Sequence, residues 1–182
     1  MFTFLKLKLL YLSLKKYLAF AKDRYTWTEL FLSFGGAGFL RPAAGTWGSL
    51  AALPFAVLVA VFFGPWAMII VATVLYVIAV PVVARYEKKT AAHDASTIVI
   101  DEVIGMFITL IPVGIWFWQS TWTENAWAVF FGFIIFRALD AFKPGPIGWI
   151  DQHLNGAHGV LLDDVLAGLL AALCLIPLMI IL

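Results

Sequence analysis

Charge, cysteine and histidine are all scarce in this chain. Its single cysteine, Cys174, stands in the last apolar run, so no disulfide can form within the chain. No arginine follows it, which argues against thiolate-based phosphate chemistry. The three histidines, His93, His153 and His158, form no plausible catalytic triad. Charged residues make up 13% of the 182, about half the share of a soluble domain. A soluble domain of this size needs polar residues to cover its surface. With 63% hydrophobic residues there are too few to do so, and lipid must be the solvent on most sides. A net charge of +1 argues nothing about nucleic acid, and no nucleic-acid partner is expected. Internal repeats and low-complexity segments are also missing.

What is present is a series of apolar runs, at about 48–63, 65–83, 99–118, 123–139 and 161–182. A bilayer core takes about 20 apolar residues as a helix, and lipid leaves every backbone polar group to be satisfied internally. The expected fold class is therefore all-α, a polytopic membrane helical bundle with about five spans. Gly64-Pro65 makes a tight turn between the first two. Residues 27–40 are apolar but short and end in Gly35, Gly36 and Gly38. They read as a helix on or partly in the membrane, followed by a loop. Residues 1–26 form a separate segment with Lys6, Lys8, Lys15, Lys16, Lys22 and Arg24. Lysines interrupt its apolar residues, so it reads as a basic amphipathic N-terminal helix on an anionic surface and not as a cleaved signal peptide. The membrane-embedded domain is then 27–182. Arg85, Lys88 and Lys89 fall in one connection and Arg137 and Lys143 in another, while the connections at 64 and 119–125 have no Lys or Arg. The positive-inside rule places the N-terminus in the cytoplasm and the C-terminus outside.

This topology collects the acids in one layer. Asp94, Asp101 and Glu102 lie at the cytoplasmic start of the third run, Asp140 at the end of the fourth, and Asp163 and Asp164 at the start of the fifth. Any one acid at a helix start can simply complement the helix dipole. Two acidic doublets and Asp140 at one depth repel each other and call for cations. Acids beside membrane spans face the bundle interior or a cavity. Asp101, Glu102, Asp140, Asp163 and Asp164 are hard oxygen ligands that suit Mg²⁺ or Mn²⁺ and not Zn²⁺. Gly105 and Gly168 follow Asp101 and Asp164 by one helical turn, where a small residue lets a neighbouring helix approach.

Gly45-Thr46-Trp47-Gly48-Ser49 precedes the first run, and Gly156-Ala157-His158-Gly159 opens the last. A glycine-rich turn leading into a helix presents free N–H groups to an anion, although Thr46 or Ser49 can equally be a plain N-cap. No lysine follows as a nucleotide-binding loop requires. Arg137 and Asp140 are three apart on a helix and can simply pair. Pro144 stops that helix just after Lys143.

In order and spacing, from about residue 31 to 170, four segments resemble the phosphatidylglycerophosphatase A family of bacterial lipid phosphatases. They are Gly45-Thr46-Trp47-Gly48-Ser49-Leu50, Ile98 to Met106 around Asp101-Glu102, Phe136-Arg137 to Ile147, and Asp163-Asp164-Val165-Leu166-Ala167-Gly168. The resemblance implies a helical fold and Mg²⁺-dependent removal of the terminal phosphate of phosphatidylglycerophosphate. It places the five acids and Lys143 in the active site, as catalytic groups and metal ligands. Lys143, Gly45, Thr46, Gly48, Ser49, Arg41 and Arg137 are then the groups expected around the phosphate. One or two Mg²⁺ ions, and either water or a carboxylate as nucleophile, stay open. The chain departs from the family at Ala44, where proline is usual, at Arg41-Pro42, whose order looks exchanged, and at Gly145, Asn155 and Ala157. The implied setting is the bacterial cytoplasmic membrane, with the site facing the cytoplasm, a phospholipid substrate and acyl chains that reach the site laterally. The alternative is a small ion-coupled membrane transporter. That protein would hold its acids at the bilayer midplane on repeated helices. A membrane scaffold needs no acidic cluster.

Overall fold

A computed structural model describes residues 25–90 and 96–181. The amphipathic segment expected over 1–26 lies outside the described residues except for Tyr25 and Thr26, and Asp94 and His93 lie outside them too. The described residues are helical, without strands.

α1, Trp27–Leu32, opens on a capping box. The Thr26 hydroxyl accepts the Glu29 N–H, and the Glu29 carboxylate accepts the Thr26 N–H at 2.7 Å. Phe34, Gly35 and Gly36 take positive φ and turn the chain into a short 3-10 helix, Ala37–Phe39. α2, Ala44–Thr90, is nominally 47 residues long, but Gly64 breaks it at φ 72° and ψ −172°. That conformation is open only to glycine at low cost, and Pro65 then restarts the helix. The two halves fold back on each other. Gly45 at the start abuts Glu102, Pro65 lies against Gly114, and Tyr76 hydrogen-bonds His158. At 1.5 Å per residue, 44–63 and 65–90 are roughly 30 and 39 Å long, each enough for a bilayer core.

The run expected to form one span over 99–118 is not one continuous helix. It gives α3, Ile100–Thr109, and α4, Ile111–Trp116, broken at Leu110 ahead of Pro112. Proline has no N–H for the helical ladder and disfavours helix in the residue before it, so the run cannot continue straight. In α3 every residue but Glu102 is buried. α3 is apolar because protein surrounds it, whereas Ile115 and Trp118 further along the run are exposed. Among the described residues, three helices are long and apolar enough to cross a membrane: α2, α5 (Trp122–Phe142) and α7 (Ala157–Ile181). Between the last two stands α6, Pro146–His153.

The outward surface is apolar where a soluble protein would be polar. Phe62, Phe63, Trp66, Trp118 and Trp122, each two-thirds exposed or more, cluster around the Gly64 turn and the α4–α5 connection. Aromatic residues of this kind favour the membrane interface. Inside, α2 buries Ala52, Ala56 and Ala60 at four-residue intervals, and α7 buries Ala167, Gly168 and Ala171. Small residues replace the hydrophobic driving force that lipid cannot supply with close backbone packing. α3 and α7 approach backbone to backbone, where a Cβ on Gly168 would meet the Gly105 carbonyl oxygen at 2.6 Å. Gly168→Ala must push these helices apart and should cost about 1–3 kcal/mol. A thermal melt in detergent will show this as a lowered midpoint, and an unchanged melt would mean that the two helices do not meet there.

Candidate functional site

Four helix ends and one short helix converge on a polar cavity of about 340 Å³. α3 brings Asp101 and Glu102 in its first turn, and α7 brings Asp163 and Asp164 in its second. The last turn of α5 brings Arg137 and Asp140, and its C-cap brings Lys143. α2 contributes Ala44 and Gly45, the preceding segment Arg41 and Pro42, and α6 contributes Asp151.

The acids divide into two groups. Asp101, Glu102 and Asp164 each place a carboxylate oxygen within 4.8 Å of the others. Asp101 is 8% exposed and Asp164 3%. Glu102 Oε2 and Asp164 Oδ1 are buried and accept no hydrogen bond. Three crowded carboxylates, two of them with an unanswered oxygen, are a costly arrangement, since burial and like charge both oppose ionisation. A small hard cation relieves both penalties at once, and an all-oxygen donor set is what Mg²⁺ or Mn²⁺ requires. These residues fit that group.

Asp140 and Asp163 instead meet cationic side chains of the protein. Arg137 pairs with Asp140, and Lys143 Nζ donates to Asp163 Oδ2 at 2.8 Å and to Asp151. Burial opposes the Lys143 charge, but hydrogen bonds to Asp151 and Asp163 outweigh it and hold its pKa above the ordinary lysine value. Lys143 is thus a fixed cation at neutral pH. Its backbone is left-handed, φ 44°, which a lysine adopts at some cost. The 2.8 Å bond from its N–H to the Leu139 carbonyl and the two acids hold it there.

The groups expected around a phosphate are only partly assembled. Arg41 lines the cavity and donates to Ser96 Oγ at 3.2 Å. Gly45 lies so close to Glu102 that a Cβ would land on the carboxylate, 3.1 Å from the Arg137 guanidinium. Thr46, Gly48 and Ser49 do not line the cavity. The helix begins at Ala44, so 45–49 is its first turn and not a loop. Gly48 packs on Val99, and the Ser49 hydroxyl donates to the Gly45 carbonyl at 2.8 Å. What remains for an anion is the unpaired N–H groups of the first turn of α2. Sequence reasoning missed Asp151 and Ser96. Asp151 reaches Lys143 only because α6 folds back after Pro144, and nothing in the local pattern signals it.

A model of the phosphatidylglycerophosphatase A family matches residues 30–179. The chain belongs to the phosphatidylglycerophosphatase A family. It is 39% identical over 149 residues to phosphatidylglycerophosphatase A of Escherichia coli (strain K12), covering 80% of this chain and 79% of that one. It is 33% identical over 138 residues to phosphatidylglycerophosphatase A of Haemophilus influenzae, covering 76% and 80%. No solved structure matches. The matched stretch of this phosphatidylglycerophosphatase A family member contains every acid of the cavity, together with Arg41, Arg137 and Lys143.

If the three-acid cluster is held together against its own repulsion, Asp164→Asn should raise the melting temperature in EDTA and abolish the further rise on adding Mg²⁺. About 1 kcal/mol corresponds to roughly 2–4 °C for a chain of this size. A variant that melts lower in EDTA and still responds fully to Mg²⁺ would contradict this reading.

Proposed function

We infer that this chain hydrolyses the terminal phosphate of phosphatidylglycerophosphate to phosphatidylglycerol and inorganic phosphate, with Mg²⁺ held by Asp101, Glu102 and Asp164. The observation that carries the reading is the pair of buried, unpartnered oxygens of Glu102 and Asp164 in a cavity that also holds Arg41, Arg137 and Lys143. The names of the relatives supply the substrate.

A phosphate monoester needs its charge neutralised, a nucleophile in line and a leaving oxygen that accepts a proton. Bound Mg²⁺ supplies charge neutralisation and lowers the cost of generating the nucleophile. Lys143, clamped between Asp151 and Asp163, presents a rigid cation to the phosphate oxygens. Arg41 faces the same cavity from the segment before α2, beside the free N–H groups of that helix's first turn. Arg137 holds Asp140 beside the cluster, so that Asp140 completes the acidic wall without adding an uncompensated charge. Water attacks phosphorus from one side, and the glycerol oxygen leaves with a proton on the other.

The mouth of the cavity faces the cytoplasm on this account. Arg41, Arg137 and Lys143 line the cavity, whereas the Gly64 turn and the 117–123 connection have no Lys or Arg. That asymmetry supports the orientation by the positive-inside rule. It also weighs against the ion-coupled transporter, whose acids sit at the midplane and not at helix ends.

Phosphate release from micelle-presented phosphatidylglycerophosphate should require Mg²⁺ or Mn²⁺ and stop in EDTA. Ca²⁺ should serve poorly, because it prefers longer bonds and more ligands. Asp101→Asn should fold normally and lose roughly a hundredfold or more of kcat, on the scale of other lost transition-state contacts. Lys143→Ala should lose less. Full turnover in EDTA would refute the mechanism.

A further inference from the structure

We propose that the groove between the second half of α2 and α7, floored by α3, seats one acyl chain of the lipid whose phosphate occupies the acidic cavity. This rests on the lipid-phosphatase reading above. The groove holds about 470 Å³, within the roughly 300–1,000 Å³ of ligand sites. Its walls are three helix faces: Ala72 and Tyr76 of α2, Ile104 and Ile108 of α3, Leu162 and Val165 of α7.

Three observations commit the groove to an acyl chain continuous with the site. First, α2 and α7 are long and apolar enough to cross the membrane, so the groove opens on hydrocarbon. Second, its few polar groups are already used. The Thr73 hydroxyl donates to the Ile69 carbonyl at 2.8 Å, and Tyr76 Oη is 2.7 Å from His158 Nδ1. A polar ligand would find no partner along the walls. Third, Asp101, Ile104 and Ile108 fall at i, i+3 and i+7, one face of α3. The face that carries an acid of the cavity becomes, about 4.5 Å further along the axis at 1.5 Å per residue, the floor of the groove. The Tyr76–His158 pair marks the level where polar gives way to apolar. His158 is adjacent in the chain to Gly159, which lines the cavity.

The test compares long-chain and short-chain phosphatidylglycerophosphate in mixed micelles, with Mg²⁺ present. Ala72→Phe fills the groove from its buried wall, and Thr73→Trp does so from its exposed lip with less risk to folding. Val77→Phe, on an exposed face of α2 outside the groove, is the control. Both groove variants should raise KM for the long-chain lipid roughly tenfold or more, the scale of a misfit in an apolar pocket. KM for the short-chain lipid and kcat for both should hold, and Val77→Phe should match the wild type. Equal effects on both lipids, or no effect in a variant whose melt is normal, would overturn the groove and leave ordinary surrounding lipid as its occupant. A wild type with no chain-length preference would also overturn it. A wild type that releases phosphate from neither lipid would instead overturn the functional reading itself.

Discussion

Like-charge repulsion at the helix starts is the constraint on which the rest of this structure depends. Asp101, Glu102 and Asp164 are brought together because α3 and α7 meet at Gly105 and Gly168, one turn below the acids. A side chain at either glycine would separate the helices and spread the carboxylates. The packing therefore sets the acid spacing, and the spacing creates the demand for a cation. Around this core the remaining charges are arranged so that they do not neutralise the cluster. Arg137 is committed to Asp140, and Lys143 to Asp151 and Asp163. The protein's own cations stand beside the three-acid group and leave Glu102 Oε2 and Asp164 Oδ1 open. A merely structural ion-pair network would be expected to satisfy them, because a buried unpaired carboxylate is among the costlier features a fold can carry.

Much of this was legible in the sequence. The acids at one depth, the helix stop after Lys143, the Gly64 turn and the glycines one turn after Asp101 and Asp164 all follow from period and residue chemistry. The structure brings Asp101, Glu102, Asp140, Asp163 and Asp164 to one cavity and agrees on the stop at Lys143, the Gly64 turn and the two glycines. Two things were not legible. An apolar run reads the same whether lipid or protein surrounds it, so neither the break at Leu110 nor the burial of α3 could be read from it. Hydropathy also cannot tell a glycine-rich loop from the first turn of a helix. Residues 45–49 thus promised a phosphate loop, yet only Gly45 reaches the cavity. Asp151 was hidden for a third reason: its partner lies across a fold-back that begins at Pro144, and no local spacing encodes such a contact.

The position of the cavity suits a substrate that is itself half polar and half apolar. The acids and bases lie at helix ends, and apolar helix faces descend from there. Active-site chemistry and membrane insertion thus draw on the same helices. α3 carries acids at its start and buried aliphatics below, and α7 repeats the pattern.

The central claim is that Asp101, Glu102 and Asp164 hold a divalent cation. The most direct measurement is anomalous diffraction from crystals grown with Mn²⁺. The account predicts an anomalous peak among the three carboxylates, within roughly 2.0–2.3 Å of Glu102 Oε2 and Asp164 Oδ1, as hard-cation oxygen bonds require. Ordered carboxylates with no peak between them, in protein that still releases phosphate under the same conditions, would contradict it.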